Sequence, residues 1–147
     1  MTIDPNLAIL KPVAVLVAWS LIMLVWMIAT RIPAMKAAGV DLNNMIGGRG
    51  ADADRVLADR AQWKAHNYNH LMEQPTLFYA IVLTLALIGQ GGGLNADIAW
   101  VYVGCRVLHS IVQATWNRVA VRFLLFLLSS LALVALTLHA LIALFGH

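Results

Sequence analysis

Two stretches of this sequence place side chains capable of acid–base, anion-binding or metal chemistry at helical intervals. The first is Trp63-Lys64-Ala65-His66-Asn67-Tyr68-Asn69-His70-Leu71-Met72-Glu73-Gln74-Pro75. Within it His66, Asn69, His70 and Glu73 are separated by three and four residues and share one side of a helix. In the second, Tyr102, Arg106, His109, Gln113 and Trp116 repeat at the same spacing. Histidine and glutamate can carry protons or ligate a metal, and arginine can hold a carboxylate. Zinc proteases also use two histidines four residues apart, as His66 and His70 are. The glutamate they place beside the first histidine is Asn67 here, so no metal is assigned. Arg31, Arg118 and Arg122 add cationic charge near both stripes.

The elements that must carry these residues are membrane helices. Of the 147 residues 61% are hydrophobic and only 12% charged, against about half and about a quarter in soluble domains. The mean hydropathy of +0.79 agrees. A separate soluble catalytic domain has no room. Ten Lys and Arg give a net charge of +3, but spread over a hydrophobic chain they act as topology signals and do not point to nucleic acid. The one cysteine, Cys105, lies in an apolar run and reads as a packing residue.

The composition predicts four spans in a single domain covering residues 1–147: about 13–30, 62–89, 98–116 and 119–145, with a polar loop over 31–61. The first run follows Asp4 and is too long for the core of a signal peptide, so it reads as a mature span. Asp52 or Asp54 is placed to cap the second helix, and Pro75 is its only breaker, tolerated as a kink inside a bundle. Trp19, Trp26, Trp100 and Tyr79 read as lipid or interface anchors. His139 and His147 read as interfacial or terminal. Eight basic residues (Arg31, Lys36, Arg49, Arg55, Arg60, Lys64, Arg118 and Arg122) lie in or beside the first and third connections, and only Lys11 lies on the opposite side. The first loop is therefore predicted to be cytoplasmic and both termini to face away. The fold class is all-α, an integral membrane four-helix bundle.

Arg106 and Glu73 would each cost at least about 2.5 kcal/mol facing lipid, so they must meet each other, water or a ligand. A buried Glu73–Arg106 pair that only fixes helix packing is the plainest form of this.

Four spans, a basic first loop, an Asn and a Glu at the start of span two followed by Pro75 and Phe78, and Arg106-x-x-His109 on span three resemble the MAPEG family, the membrane-associated proteins in eicosanoid and glutathione metabolism. The resemblance covers nearly the whole chain and is to the microsomal glutathione transferases in particular. It implies a homotrimer that binds glutathione as cosubstrate near the cytoplasmic side, between protomers, and conjugates or reduces hydrophobic small molecules arriving from the lipid. By that resemblance Arg31, His66, Asn69, His70, Glu73, Arg106, His109 and Gln113 hold glutathione, and Arg118 or Arg122 activates its sulfur. The family pattern Arg-x-x-x-Asn-x-x-Glu-x-x-Pro is altered: Asn69 and Glu73 are four apart, Glu73 and Pro75 two. Anchored on Glu73, His70 takes the Asn position and His66 the Arg position; anchored on Asn69, Met72 and Ala65 take the Glu and Arg positions. The span-two arginine is missing in either register, and Gln113 replaces a tyrosine. A non-catalytic lipid-binding or scaffold homologue is the alternative the altered pattern implies. The membrane would be the inner membrane of a bacterium or the endoplasmic reticulum of a eukaryote.

Overall fold

The computed structural model describes residues 4–146 except 42, 43, 45, 48 and 49. The expectations placed on Arg49, His147 and the side chain of Asp54 lie outside the described residues. Helices carry all the regular structure described: α1 (Leu10–Ala37), α2 (Asp59–Met72), α3 (Gln74–Leu87), α4 (Leu94–Thr115) and α5 (Val119–Phe145), with 3-10 turns at Pro5–Leu7 and Gly50–Arg55. Helices α2 and α3 follow one another as a single broken rod, so the bundle has four rods. Two segments, Pro5–Ala37 and α5, are long and apolar enough to cross a membrane by length and composition.

The first helix outruns the expected end at Thr30 and continues through Pro33 to Ala37. Pro33 removes one backbone donor, while the residues after it, Ala34, Met35, Lys36 and Ala37, are strong helix formers. Its buried residues Pro12, Leu16, Ser20 and Met23 recur at four and three, and its opposite face exposes Leu21, Ile22, Val25 and Ile28. In water such a face would be a liability; in a bilayer it is the lipid contact.

The predicted cap of the second rod is corrected. Asp52 belongs to the 3-10 turn, and α2 begins at Asp59 behind Ala58, whose side chain makes no cap bond. The break is corrected too: it falls at Glu73 (φ −89°, ψ −98°), two residues before Pro75. Proline has no N–H for the carbonyl four residues back, and its ring collides with that carbonyl, so the helix stops and restarts with Pro75 in its first turn.

Helix α4 starts at Leu94, four residues ahead of the expected Ile98. It packs closely on α5 because both present small residues. Ser129, Ala132 and Ala140 are buried on α5, facing a helix that buries Ala96, Ala99, Ser110 and Ala114. Small residues let membrane helices approach closely enough for dispersion to hold them. The core is completed by Phe78 of α3 stacked on Tyr102 of α4, ring centres 4.1 Å apart and 10° from parallel.

At one end of the bundle the N-terminal turn sits on the loop between α3 and α4, with Ile9 N–H donating to the Gly91 carbonyl at 3.0 Å. A Cβ on Gly91 would collide with the Asn6 carbonyl oxygen, so this approach requires glycine. At the other end Arg31 donates to the Gly50 carbonyl at 2.5 Å and ties the long loop back to α1.

Candidate functional site

The broken rod and α4 run antiparallel, and a ladder of polar rungs crosses their seam. Asn67 Nδ2 donates to Ser110 Oγ at 2.6 Å. Arg106 Nη2 lies 2.9 Å from His70 Nδ1 and donates to the His70 carbonyl, also at 2.9 Å. Tyr102 OH reaches Gln74 Oε1 at 3.5 Å, and Gln74 Nε2 donates to Ser130 Oγ of α5 at 2.8 Å. Each later residue on the first rod meets an earlier one on α4. Helix α1 joins through Trp19 Nε1, which donates to Ser110 Oγ at 2.9 Å. Trp19 is thus a hydrogen-bonded bundle residue as well as a half-buried ring, which corrects its reading as a lipid anchor.

The α4 stripe faces inward as a unit: Tyr102, Arg106, His109 and Gln113 are all buried, whereas Trp116 is exposed and stacks under Arg118 at 5.2 Å. The α2 stripe divides. Asn67 and Leu71 point into the bundle, while His66, Asn69 and Glu73 lie on the exposed side. His70 stands on the border and is half-buried. It is the one predicted α2 residue that meets the α4 stripe, because its helical angle falls between the two faces.

Around His70 the site has definite chemistry. A guanidinium only donates, so Arg106 fixes His70 Nδ1 as an acceptor and leaves the ring proton on Nε2. The His70 ring lies 4.9 Å from the His109 ring and meets Phe126 edge-on at 5.7 Å. Beside it opens a cleft of about 190 Å³ lined by His70, His109, Val119, Arg122 and Phe123. Arg122 Nη1 is held by Asn117 Oδ1 at 2.6 Å, and Asn117 turns the chain between α4 and α5 with φ +54°, a conformation asparagine tolerates. Val119 and Phe123 are largely exposed, so one wall of the cleft is cationic and polar and the other is apolar and open.

Among the described residues no carboxylate bonds directly to Arg106; Glu73 is exposed and acts on it only as a nearby charge, and the direct partner of Arg106 is His70, not the Glu73 of the packing alternative. The Nε and Nη1 of Arg106, the Nε of Arg122, Gln113 Oε1, Asn67 Oδ1 and both amide atoms of Gln62 are buried without a hydrogen-bond partner. Among the described residues no group of three or more His, Cys, Asp or Glu is arranged to hold a metal ion.

The structure therefore brings together His70, Arg106, His109 and Arg122, with Gln113 further along the same α4 face. It leaves Arg31 of α1 bonded to the Gly50 carbonyl of the loop, Arg118 on Trp116, and His66, Asn69 and Glu73 on the outer side of α2. Sequence reasoning missed Asn67, Ser110, Gln74 and Gln62. Ser110 was visible as a residue on the Arg106–Gln113 face, and Asn67, Leu71 and Gln74 follow helical spacing as well as the chosen stripe does.

A four-rod bundle with a polar seam and an apolar outer surface, two of whose segments are long and apolar enough to cross a membrane, defines an integral membrane protein. The chain belongs to the MAPEG family, whose sequence profile matches residues 9–142. That family is one of membrane four-helix bundles whose members generally use glutathione. No curated protein and no solved structure matches the chain.

Proposed function

We propose that the protein is a membrane-embedded glutathione transferase-like enzyme that works as a homotrimer and joins glutathione thiolate to apolar electrophiles entering from the bilayer, or reduces them with it. The observation that carries this reading is the cleft in which Arg122 and the His70 Nε2–H face the lipid-exposed Val119 and Phe123. Glutathione fits the charge. It carries two carboxylates, and Arg106 keeps two guanidinium nitrogens unpartnered in a setting where an uncompensated cation is costly. Asn69 and Glu73 on the outer side of α2 supply a donor and an acceptor where a neighbouring protomer would pack. Polar groups on a membrane surface require such cover.

Chemically, the thiol gives up its proton to water, the cation beside it favours the thiolate, and the sulfur lone pair forms the new C–S bond while a leaving group departs with its bonding pair, or while the π pair of a conjugated acceptor moves away and is protonated by water. No protein nucleophile is required. Arg122 activates the sulfur because it lines the cleft, whereas Arg118 lies on Trp116 outside it; Arg106, one rung deeper, holds the peptide. A basic loop facing the cytoplasm completes the orientation.

The test is thiolate difference absorbance and glutathione affinity of the protein in nanodiscs. Arg122→Ala should lower thiolate signal and turnover about tenfold and change affinity less than about threefold. Equal thiolate signal in wild type and variant overturns the assignment. The second reading, a non-catalytic lipid-binding or scaffold protein, is favoured by the two bonds Arg106 makes to His70, which give that cation a structural task. It predicts no glutathione binding by the wild type.

A further inference from the structure

The end of the bundle away from Arg122 carries a second polar cluster. His139 lies seventeen residues beyond Arg122 on α5, about 25 Å along the helix axis, where the N-terminal turn and the α3–α4 loop meet. Asn95 Nδ2 donates to the Gln90 carbonyl at 2.8 Å, which fixes the amide and turns Asn95 Oδ1 toward His139, 2.5 Å from Nδ1. A carbonyl oxygen only accepts, so His139 Nδ1 carries the proton and Nε2 is left as a lone-pair acceptor. Asn95 is almost fully buried, so this relay is held by the fold and not by solvent.

His139 and Asn95 line an open pocket of about 460 Å³ together with Gln90, Gly92, Leu94 and Ile142. That volume is in the range of small-ligand sites. Among the described residues its lining contains no Asp, Glu, Lys or Arg, so a charged head would find no counter-charge in that lining. Leu94 and Ile142 are each about two-thirds exposed and continue the pocket wall onto the outer, lipid-facing surface. The pocket is thus polar at its base, apolar at its mouth and uncharged in its described lining.

We propose that this pocket binds a neutral amphipathic lipid whose head is an alcohol, with the hydroxyl donating to His139 Nε2 and the chain leaving past Leu94 and Ile142 into the bilayer. The site is separate from the Arg122 cleft and does not rest on the proposed transferase activity. Neutral acceptor and uncharged lining select an alcohol over a carboxylate or an ammonium: the first brings an unpaired charge and no donor, the second a donor with an unpaired charge.

The probes are three stearyl chains bearing a diazirine near the head, with alcohol, carboxylate and amine heads, photolysed with the full chain in detergent and mapped by peptide mass spectrometry. The alcohol should label the segments around 90–95 and 139–143 at least about fivefold more than either charged probe. His139→Phe should reduce that labelling about fivefold, the weight of one neutral hydrogen bond. His139→Gln, which restores an acceptor, should retain more than half, and Leu128→Phe, on the outer face of the same helix, should change nothing. Equal labelling by all three heads in the unmodified protein overturns the proposal whether or not a variant folds. So does undiminished labelling of a folded His139→Phe, or labelling that maps to the Arg122 end.

Discussion

Ser110 offers the sharpest test of the polar seam, because one hydroxyl oxygen accepts from two helices at once. Replacing it by alanine leaves Asn67 Nδ2 and Trp19 Nε1 without their acceptor. Asn67 is wholly buried, so its stranded donor takes a desolvation penalty of about 2 kcal/mol. Trp19 is half-buried, and its loss is nearer the average of about 0.6 kcal/mol measured for hydrogen bonds between membrane helices. The two effects together predict that Ser110→Ala destabilises the bundle by about 2.5 kcal/mol. Ser129→Ala is the matched control: Ser129 is also buried, and its hydroxyl donates to the Phe126 carbonyl of its own helix, so its removal should cost less than about 0.5 kcal/mol. The assay is reversible unfolding in mixed micelles followed by tryptophan fluorescence. Adding Asn67→Leu to Ser110→Ala should recover about half of the loss, since an apolar pair needs no partner. If Ser110→Ala and Ser129→Ala lose the same stability, or the double variant is weaker than Ser110→Ala alone, the seam is not held by these bonds.

Two further perturbations read the ends of the bundle. Gly91→Ala pushes a methyl into the Asn6 carbonyl and the Ile9 side chain and should destabilise by about 1–3 kcal/mol while making the N-terminal turn sensitive to protease; Gly104→Ala, where an added Cβ meets nothing, should be neutral or stabilising by up to about 1 kcal/mol. A reversed order in thermal stability would refute the packing of that turn. Single cysteines at the exposed positions Gln90 and Lys36 should react with an impermeant maleimide from opposite sides of sealed vesicles, and reaction of both from one side would reverse the assignment of the basic loop to the cytoplasm.

The bundle and the α4 stripe were legible in the sequence because a membrane admits few solutions: apolar length gives the rods, and an intramembrane Arg must face inward. The α2 stripe was less legible. Its polar residues cover both faces of the helix, so spacing alone selects His66, Asn69 and Glu73 as readily as Asn67 and Gln74, and only packing against α4 decides. The break at Glu73 was hidden for a different reason. Pro75 announces that the helix is interrupted, yet where the chain yields depends on which carbonyl the ring collides with, and that lies upstream. The Asn95–His139 relay joins residues forty-four apart on two helices, a relation no local pattern contains.

The break at Glu73 also bears on how the chain enters its membrane. Helix α3 has fourteen residues, about 21 Å of length, against a hydrocarbon core of about 30 Å. Alone it is too short to cross, and the polar α2 ahead of it is a poor partner for lipid. On the four-span reading the second rod is expected to wait at the interface until α4 arrives with Ser110, Arg106 and Tyr102 to receive its polar side chains. That reading makes insertion a cooperative act of the middle of the chain. A glycosylation reporter placed after α3 should find that segment poorly inserted in a chain truncated before α4 and well inserted once α4 is present.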